Sequence, residues 1–559
     1  MINKKSLLFL FSGIIIYAIL SLLIWQERYF YDDELINLKI ITSYDYAGLL
    51  NFLSGFDFHP PGQYLINKLI YNITGPNEWL MSLPSVICTG LTAGLAGLIT
   101  FKITKAFWVG FAALSLASVS PLLLMWGWSI RWYPYWIFIT FLSFFILLKI
   151  PGGNSKRNLY YVLLVLLFTA GLYISYLSLL FFAAVFFTSL VTDLKNRNFS
   201  GERLISLSTY KVSIIILISF ILFSPWLLNF GVHFKGYFAG QQISNHIMSI
   251  NPVAVTGYSL FSGLFGSSIY PWNTVFIILF TGLIISFFIA LYFLLREKRN
   301  ALHIKEKNNT CFNSVIIFSV ICLILLVVLS LVTKSLKSQP LLLMPVLLSV
   351  ILTISGYYLI RKLKAPDIHR KVKTGYSYLL LSLIFFVCIW IAGAVNIFNR
   401  QHFHKMGLSD PVSQVLNVIN RNAGGELLIV MTTNPVISYY LTKEMNDKII
   451  VIAPKGYYQF APSTAGEEMG RAEILFLETY LGSLIPVSDE YYKIVNYLRR
   501  EGIPSGEPLY LGRDEDFRMK KEITSVPYLP EYRFVLHYYK PKDAWNTEKL
   551  FQLSKLSVY

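Results

Sequence analysis

The chain has 559 residues, of which 55% are hydrophobic, 16% aromatic and only 14% charged, with a mean hydropathy of +0.55. That composition excludes an ordinary soluble enzyme and describes a polytopic membrane protein. The formal charge of +17 does not signal nucleic acid: residues 1–397 hold 29 basic and 12 acidic side chains, whereas the stretch from 398 onward holds 19 of each.

In chain order, Met1–Lys5 followed by apolar Leu7–Trp25 has the outline of a signal peptide, but the run is long enough to span a bilayer and no small-residue cleavage site follows it. It reads as a retained first helix. Further runs of span length are Leu83–Phe101, Phe107–Trp126, Tyr133–Leu148, Val212–Asn229, Asn273–Leu295, Ser314–Thr333, Leu341–Ile360 and Tyr376–Phe398. Leu159–Thr192 is too long for one crossing and reads as a hairpin turning near Tyr173–Ser175, which brings the spans to eleven. With the amino terminus inside, 22 of the 29 basic residues fall in inner segments and seven in outer ones, the pattern expected of cytoplasmic loops. The expectation is a multi-pass protein of the cytoplasmic (inner) membrane whose carboxy-terminal part is periplasmic.

Seven of the 12 acidic residues of the membrane half lie between the first two spans, and Asp32-Asp33-Glu34 follows almost directly on the first. Carboxylates at the water–lipid boundary have raised pKa values through desolvation and mutual repulsion, and one so placed can serve as a base. The same acids also suit a plainer role, capping the first turn of an interfacial helix, with His59-Pro60-Pro61 as the rigid start of the next. Leu35, Leu38 and Ile41, then Ile66, Leu69, Ile70 and Ile73, recur at helical spacing among polar residues, which suits helices lying in the interface. No acidic residue falls inside a span, where a proton-coupled transporter keeps ionisable groups, so a transporter or flippase is the weaker reading. Farther on, Arg131 sits among Trp126, Trp128, Trp132 and Tyr133 at an outer membrane edge, either as a phosphate or carboxylate clamp or as part of an aromatic anchor belt.

Asp33-Glu34, His59-Pro60-Pro61, Leu83-Pro84-Ser85 and Arg131-Trp132-Tyr133, in that order and spacing, resemble the PMT/ArnT-like branch of the GT-C glycosyltransferases. The resemblance implies an integral membrane enzyme that transfers a sugar from a polyprenyl-phosphate donor, with inversion, to a lipid, glycan or protein acceptor. It implies Asp33, or its neighbour Asp32, as the base, with Glu34 and His59 orienting it or binding a divalent cation, and Tyr31 and His59 positioning substrate. Arg131 and Tyr133 would hold the donor phosphate, its charge met by Arg131 with Lys334, Lys337 or a divalent cation. Related enzymes fold a mobile loop over the site, which here corresponds to Gly231–Trp272 with His233, Lys235, Tyr237, His246, Tyr258 and Tyr270. His233 and His246 are further metal candidates, although a lone histidine is more often a surface residue. This chain departs from its relatives at Ser129, where many carry an acidic residue, and at Ser338, where an arginine is usual. An O-antigen polymerase or ligase would share the lipid-linked substrate but place its reactive arginines and histidines in later outer loops.

Cys88, Cys322 and Cys388 fall in spans and Cys311 at an inner edge, so the outer domain folds without disulfides. Composition turns mixed after Phe398, dividing the chain into a membrane domain, 1–397, and an extracytoplasmic α/β domain, 398–559. Pro411–Arg421 reads as a helix, Glu426–Thr432 and Lys448–Ala453 as strands around a short helix after Asn434-Pro435, Asp489–Arg500 as a helix, and Leu509–Leu511 and Arg533–Tyr539 as strands. These 162 residues suffice for one compact domain. They contain no phosphate loop, metal spacing or nucleophile motif and read as a substrate-recognition or structural cap. The expected fold class is mainly α: about eleven membrane helices of GT-C type, interfacial helices in the first outer loop, and the α/β domain.

Overall fold

The computed structural model describes residues 4–24, 28–56, 59–149, 157–198, 208–247, 252–266, 268–269, 273–296, 310–333, 339–365, 370–399, 412–423, 427–432, 434–444, 446–452, 471–479, 496–513 and 532–546. It divides into two compact units, and of the described residues the second holds 28–38, 243–247 and those from 412 onward. The segment between the first two membrane helices is thus shared: its acidic beginning belongs with the carboxy-terminal residues.

The first unit is helical. Its helices are α1 (Lys4–Ile24), the end of α2 (Asp32–Ser43), α3 (Tyr46–Phe56), α4 (Gly62–Thr74), α5 (Glu78–Thr104), α6 (Phe107–Ser118), α7 (Pro121–Trp126), α8 (Tyr133–Lys149), α9 (Arg157–Ile174), α10 (Ser178–Asn198), α11 (Thr209–Ile247), α12 (Pro252–Phe265), α13 (Thr274–Arg296), α14 (Thr310–Thr333), α15 (Leu343–Lys364) and α16 (Arg370–Phe398). Six helices among the described residues are long and apolar enough to cross a membrane, and five shorter ones are apolar. All eleven segments expected to span are helical, including the hairpin, whose turn falls between Ile174 and Ser178. Phe107–Trp126 is not one helix, because α6 stops at Ser118 and Pro121, at the first position of α7, starts a new one.

Between apolar helices in lipid the hydrophobic effect supplies little drive, so close packing and interhelical hydrogen bonds decide which faces meet. Helix α5 packs against α1, α6 and α8. At Gly13 a Cβ atom would lie 2.3 Å from the Gly90 carbonyl oxygen, so only glycine permits the α1–α5 approach. Helices α13 and α16 are joined by a hydrogen bond between the Ser286 and Ser382 hydroxyls at 2.8 Å.

The second unit contains a six-stranded mixed sheet. Its elements are α17 (Val412–Asn422), β1 (Leu428–Thr432), α18 (Pro435–Glu444), β2 (Ile449–Ile452), β3 (Glu473–Thr479), β4 (Gly502–Pro504), β5 (Leu509–Arg513) and β6 (Tyr532–Pro541). The strand order is β2-β1-β3-β6-β4, with β5 also paired to β6. Parallel β1 and β2, joined through α18, form the expected βαβ unit, and β1 is buried along its whole length. A parallel strand covered on both faces is nearly continuously apolar, and Leu428-Ile429-Val430-Met431 meets that demand, while the Thr432 hydroxyl at its end accepts from the Asn434 N–H at 3.0 Å. The core gathers Ile429, Met431, Ile450, Ile474, Phe476, Leu498 and Trp545. Strand β3, not foreseen, lies between β1 and β6. Of the helix expected over Asp489–Arg500, residues 496–500 are helical and the rest lies outside the described residues.

Candidate functional site

The acidic turn is built from residues 28–35. Tyr31 immediately precedes α2, and its carbonyl accepts hydrogen bonds from the Glu34 and Leu35 N–H groups, both at 2.9 Å, to open the helix. Glu34, third in the helix, reaches back so that its Oε2 accepts from the Tyr31 N–H at 3.4 Å, the reciprocal half of a capping box. Its two oxygens also lie 2.9 and 3.1 Å from Arg28 Nη2, with the side chains only 0% and 1% exposed. The Arg28 guanidinium stacks over the Phe30 ring, 5.1 Å from its centroid. The plainer reading of these acids therefore describes Glu34: it caps the helix and neutralises a buried arginine. Asp32 and Asp33 occupy the first two positions of α2, and the Asp33 side chain is half-buried.

The arginine turn belongs to the first unit. It joins α7 to α8 through residues 127–132, and every residue of that turn is buried, Arg131 being 7% exposed. Irregular backbone at membrane depth is tolerated only where its polar groups find partners in the protein, and neighbouring helices provide them. The Tyr17 hydroxyl donates to the Leu123 carbonyl at 2.6 Å and the Thr89 hydroxyl to the Gly127 carbonyl at 2.7 Å. A Cβ at Gly127 would stand 2.3 Å from the Tyr17 oxygen, so the close fit of this turn requires glycine. Asn67 Nδ2 donates to the Ile130 carbonyl at 2.5 Å, with Gln63 Nε2 at 3.4 Å from the same oxygen. Tyr133 packs edge-on against Trp132 and Trp126, with ring centroids 4.5 and 5.5 Å away.

Helix α4 supplies those amides by turning its polar face inward. Gln63, Asn67 and Lys68 are buried, while Leu69 and Ile73 are 55% and 76% exposed. Thirteen residues rise only about 20 Å, too short for a crossing, and an outward apolar face suits a helix lying in the interface. Lys68 is bound by the carbonyls of Ile41 and Tyr44. His59 stands half-buried three residues before α4, whose amino-terminal cap is Pro61.

The structure thus gathers Tyr31, Asp33 and Glu34 in one turn and Arg131 and Tyr133 in another. Lys334, Lys337 and Tyr270 lie outside the described residues, as do the side chains of Asp32, His233, Lys235, Tyr237, His246 and Tyr258. Among the described residues no three His, Cys, Asp or Glu side chains are grouped as metal ligands. Glu34 already faces a guanidinium at 2.9 Å, a charge that would repel a divalent cation, so it does not fit that role. Reading the sequence overlooked Arg28, Gln63, Asn67 and Thr89. The signal for two of them was present, since Gln63 and Asn67 stand four residues apart on one face of a helix.

Fold and residues together define a polytopic membrane protein with a carboxy-terminal α/β domain. No protein-family model matches the chain, and no curated protein sequence matches it. Among solved structures it is similar to ArnT from Cupriavidus metallidurans bound to undecaprenyl phosphate, with a TM-score of 0.43 and 11% identity over 95% of this chain and 97% of that one. It is also similar to the oligosaccharyltransferase of Archaeoglobus fulgidus in the apo form, with a TM-score of 0.44 and 9% identity over 95% of this chain and 88% of that one. The archaeal oligosaccharyltransferase AglB from Archaeoglobus fulgidus, in complex with an inhibitory peptide and a dolichol-phosphate, gives a TM-score of 0.41 at 9% identity, over 97% of this chain and 89% of that one. Likenesses of this size leave the function to be read from the chain's own residues.

Proposed function

We propose that this chain is a membrane glycosyltransferase that takes a sugar from a polyprenyl-phosphate donor and passes it, with inversion, to an acceptor hydroxyl at the extracytoplasmic face. The observation that carries this reading is the acidic turn: Asp33, half-buried in the first turn of α2, follows the first membrane helix by only a few residues. A buried ion pair and a capping box hold that turn. Fixed placement is what a general base requires.

In the proposed reaction Asp33, or Asp32 beside it, accepts the proton of the acceptor hydroxyl while that oxygen attacks the anomeric carbon. The bond from that carbon to the phosphate oxygen breaks, and polyprenyl phosphate departs with the bonding electrons. Negative charge grows on the departing phosphate, and the Arg131 guanidinium, whose fork suits two parallel hydrogen bonds to phosphate, would meet it. Tyr31 and His59 are proposed to position substrate, and Lys334 or Lys337 to add positive charge. The positive-inside count supports a cytoplasmic amino terminus and an outer carboxy-terminal domain. Purified protein incubated with a panel of polyprenyl-phosphate monosaccharides should release polyprenyl phosphate from at least one of them. Absence of release across a panel covering hexose, pentose and amino-sugar donors, with lipid, glycan and peptide acceptors supplied, would overturn the reading.

A further inference from the structure

The stretch leading into the acidic turn is fastened to the α/β domain at one helix. Within the second unit, the Phe30 N–H donates to the Tyr440 hydroxyl oxygen at 2.8 Å. The Tyr29 ring stands edge-on to Tyr440 with centroids 4.8 Å apart, and the Phe30 ring meets Tyr439 at 6.2 Å. Phe30 is fully buried and Tyr439 and Tyr440 are each 7% exposed, so this contact is an interior one. From Phe30 the connection runs to the acids by two short routes: the ring is stacked under Arg28, which pairs with Glu34, and the next residue, Tyr31, is the helix cap.

The other end of the connection is rigid. Helix α18 connects β1 to its parallel neighbour β2, and the Asn434 side chain caps it by accepting from the Val436 and Ile437 N–H groups at 2.9 and 3.0 Å. Ile437 and Leu441, on the same short helix, are almost fully buried, as are β1 and β2. A phenol at the end of an aromatic side chain has few rotatable bonds, so an oxygen carried by such a helix is a fixed point.

We infer that Tyr440 is a positioning residue of the active site: its hydroxyl, acting through the Phe30 backbone, sets where the first turn of α2 presents Asp33. The α/β domain thereby becomes part of the catalytic scaffold. The catalytic consequence rests on the glycosyltransferase reading above, whereas the anchoring itself does not.

Tyr440→Phe removes one oxygen and keeps the ring, so the fold is retained while a buried N–H loses its acceptor. Two measurements on the purified full-length protein test the inference. In hydrogen–deuterium exchange, the amides of 28–35 should exchange at least tenfold faster in Tyr440→Phe while those of β1 are unchanged. Unaltered exchange at 28–35 would overturn the anchoring whatever the enzyme's activity. In kinetics, Tyr440→Phe should lower kcat about tenfold with less than a twofold change in KM, the signature of a lost orientation rather than lost binding. Combined with Asp33→Asn, it should add no further loss, because a residue that acts through Asp33 has nothing left to act on. A normal kcat in Tyr440→Phe beside a disabled Asp33→Asn, or strictly additive losses in the double variant, would overturn the positioning role. A fully active Asp33→Asn would instead sink the base assignment and with it the catalytic part of the inference, leaving the exchange result to decide the anchoring alone.

Discussion

The acidic turn and the arginine turn are both short irregular stretches made rigid by side chains, but they are held by different chemistry. The arginine turn is bound by neutral donors, the hydroxyls of Tyr17 and Thr89 and the amides of Asn67 and Gln63, each directed at a backbone carbonyl of 123–130. The acidic turn depends on full charges, Arg28 and Glu34, and on aromatic side chains of α18. The difference follows from what each can desolvate. A buried hydroxyl or amide costs little once hydrogen-bonded, whereas a buried ion pair is safe only while both members are present. A load shared among several neutral bonds should survive the loss of any one, whereas removing one member of a buried ion pair leaves the charge of the other in a desolvated site.

Removing a member of the pair gives the largest expected effect. Glu34→Ala leaves Arg28 charged and buried without its carboxylate, which should destabilise the protein by about 3–5 kcal/mol. The check is a thermal melt in detergent, and a melt equal to wild type would mean that the turn does not depend on this pair. Arg131→Ala comes next: the turn should stay folded while affinity for the polyprenyl phosphate product falls by about 1.5–3 kcal/mol, the worth of hydrogen bonds to a charged group. Arg131→Lys should fall between, since an ammonium offers a point charge in place of a fork. Titration of the product beside a melting curve separates this from an anchor belt, in which Arg131→Lys would be silent and Arg131→Ala would change melting but not affinity. The smallest effect belongs to Thr89→Val, which deletes one of the neutral bonds at nearly constant volume and should cost about 1 kcal/mol with product affinity unchanged.

The membrane helices were legible because a bilayer demands about twenty apolar residues per crossing, a pattern that needs no tertiary knowledge. The break between α6 and α7 was not read, because the apolar run on both sides of Pro121 concealed it, although a proline inside a helix carries a cost that marks a boundary. Strand β3 was hidden for a different reason. Ile474-Leu475-Phe476-Leu477 is an apolar run too short to separate strand from helix, and only pairing with β1 and β6 settles it. At the acidic turn, the position of Asp33 at a helix start could be read from local pattern. Its supports could not: Arg28 looked like one of a few outer positive charges, and the Tyr440 contact with Phe30 spans 410 positions of sequence. Likewise α4 was read by its apolar stripe, while the residues that touch the arginine turn are on the opposite, polar face.

The account turns on Asp33, and the most direct test is the turnover of Asp33→Asn with a polyprenyl-phosphate sugar that the wild type uses, measured beside its melting temperature. Asparagine keeps the volume and first-turn hydrogen bonding of aspartate but cannot accept the proton. Turnover should fall by about 100-fold or more, the scale of general base catalysis, with melting unchanged. Full activity in Asp33→Asn together with loss in Asp32→Asn would move the base by one residue, and full activity in both would contradict the mechanism.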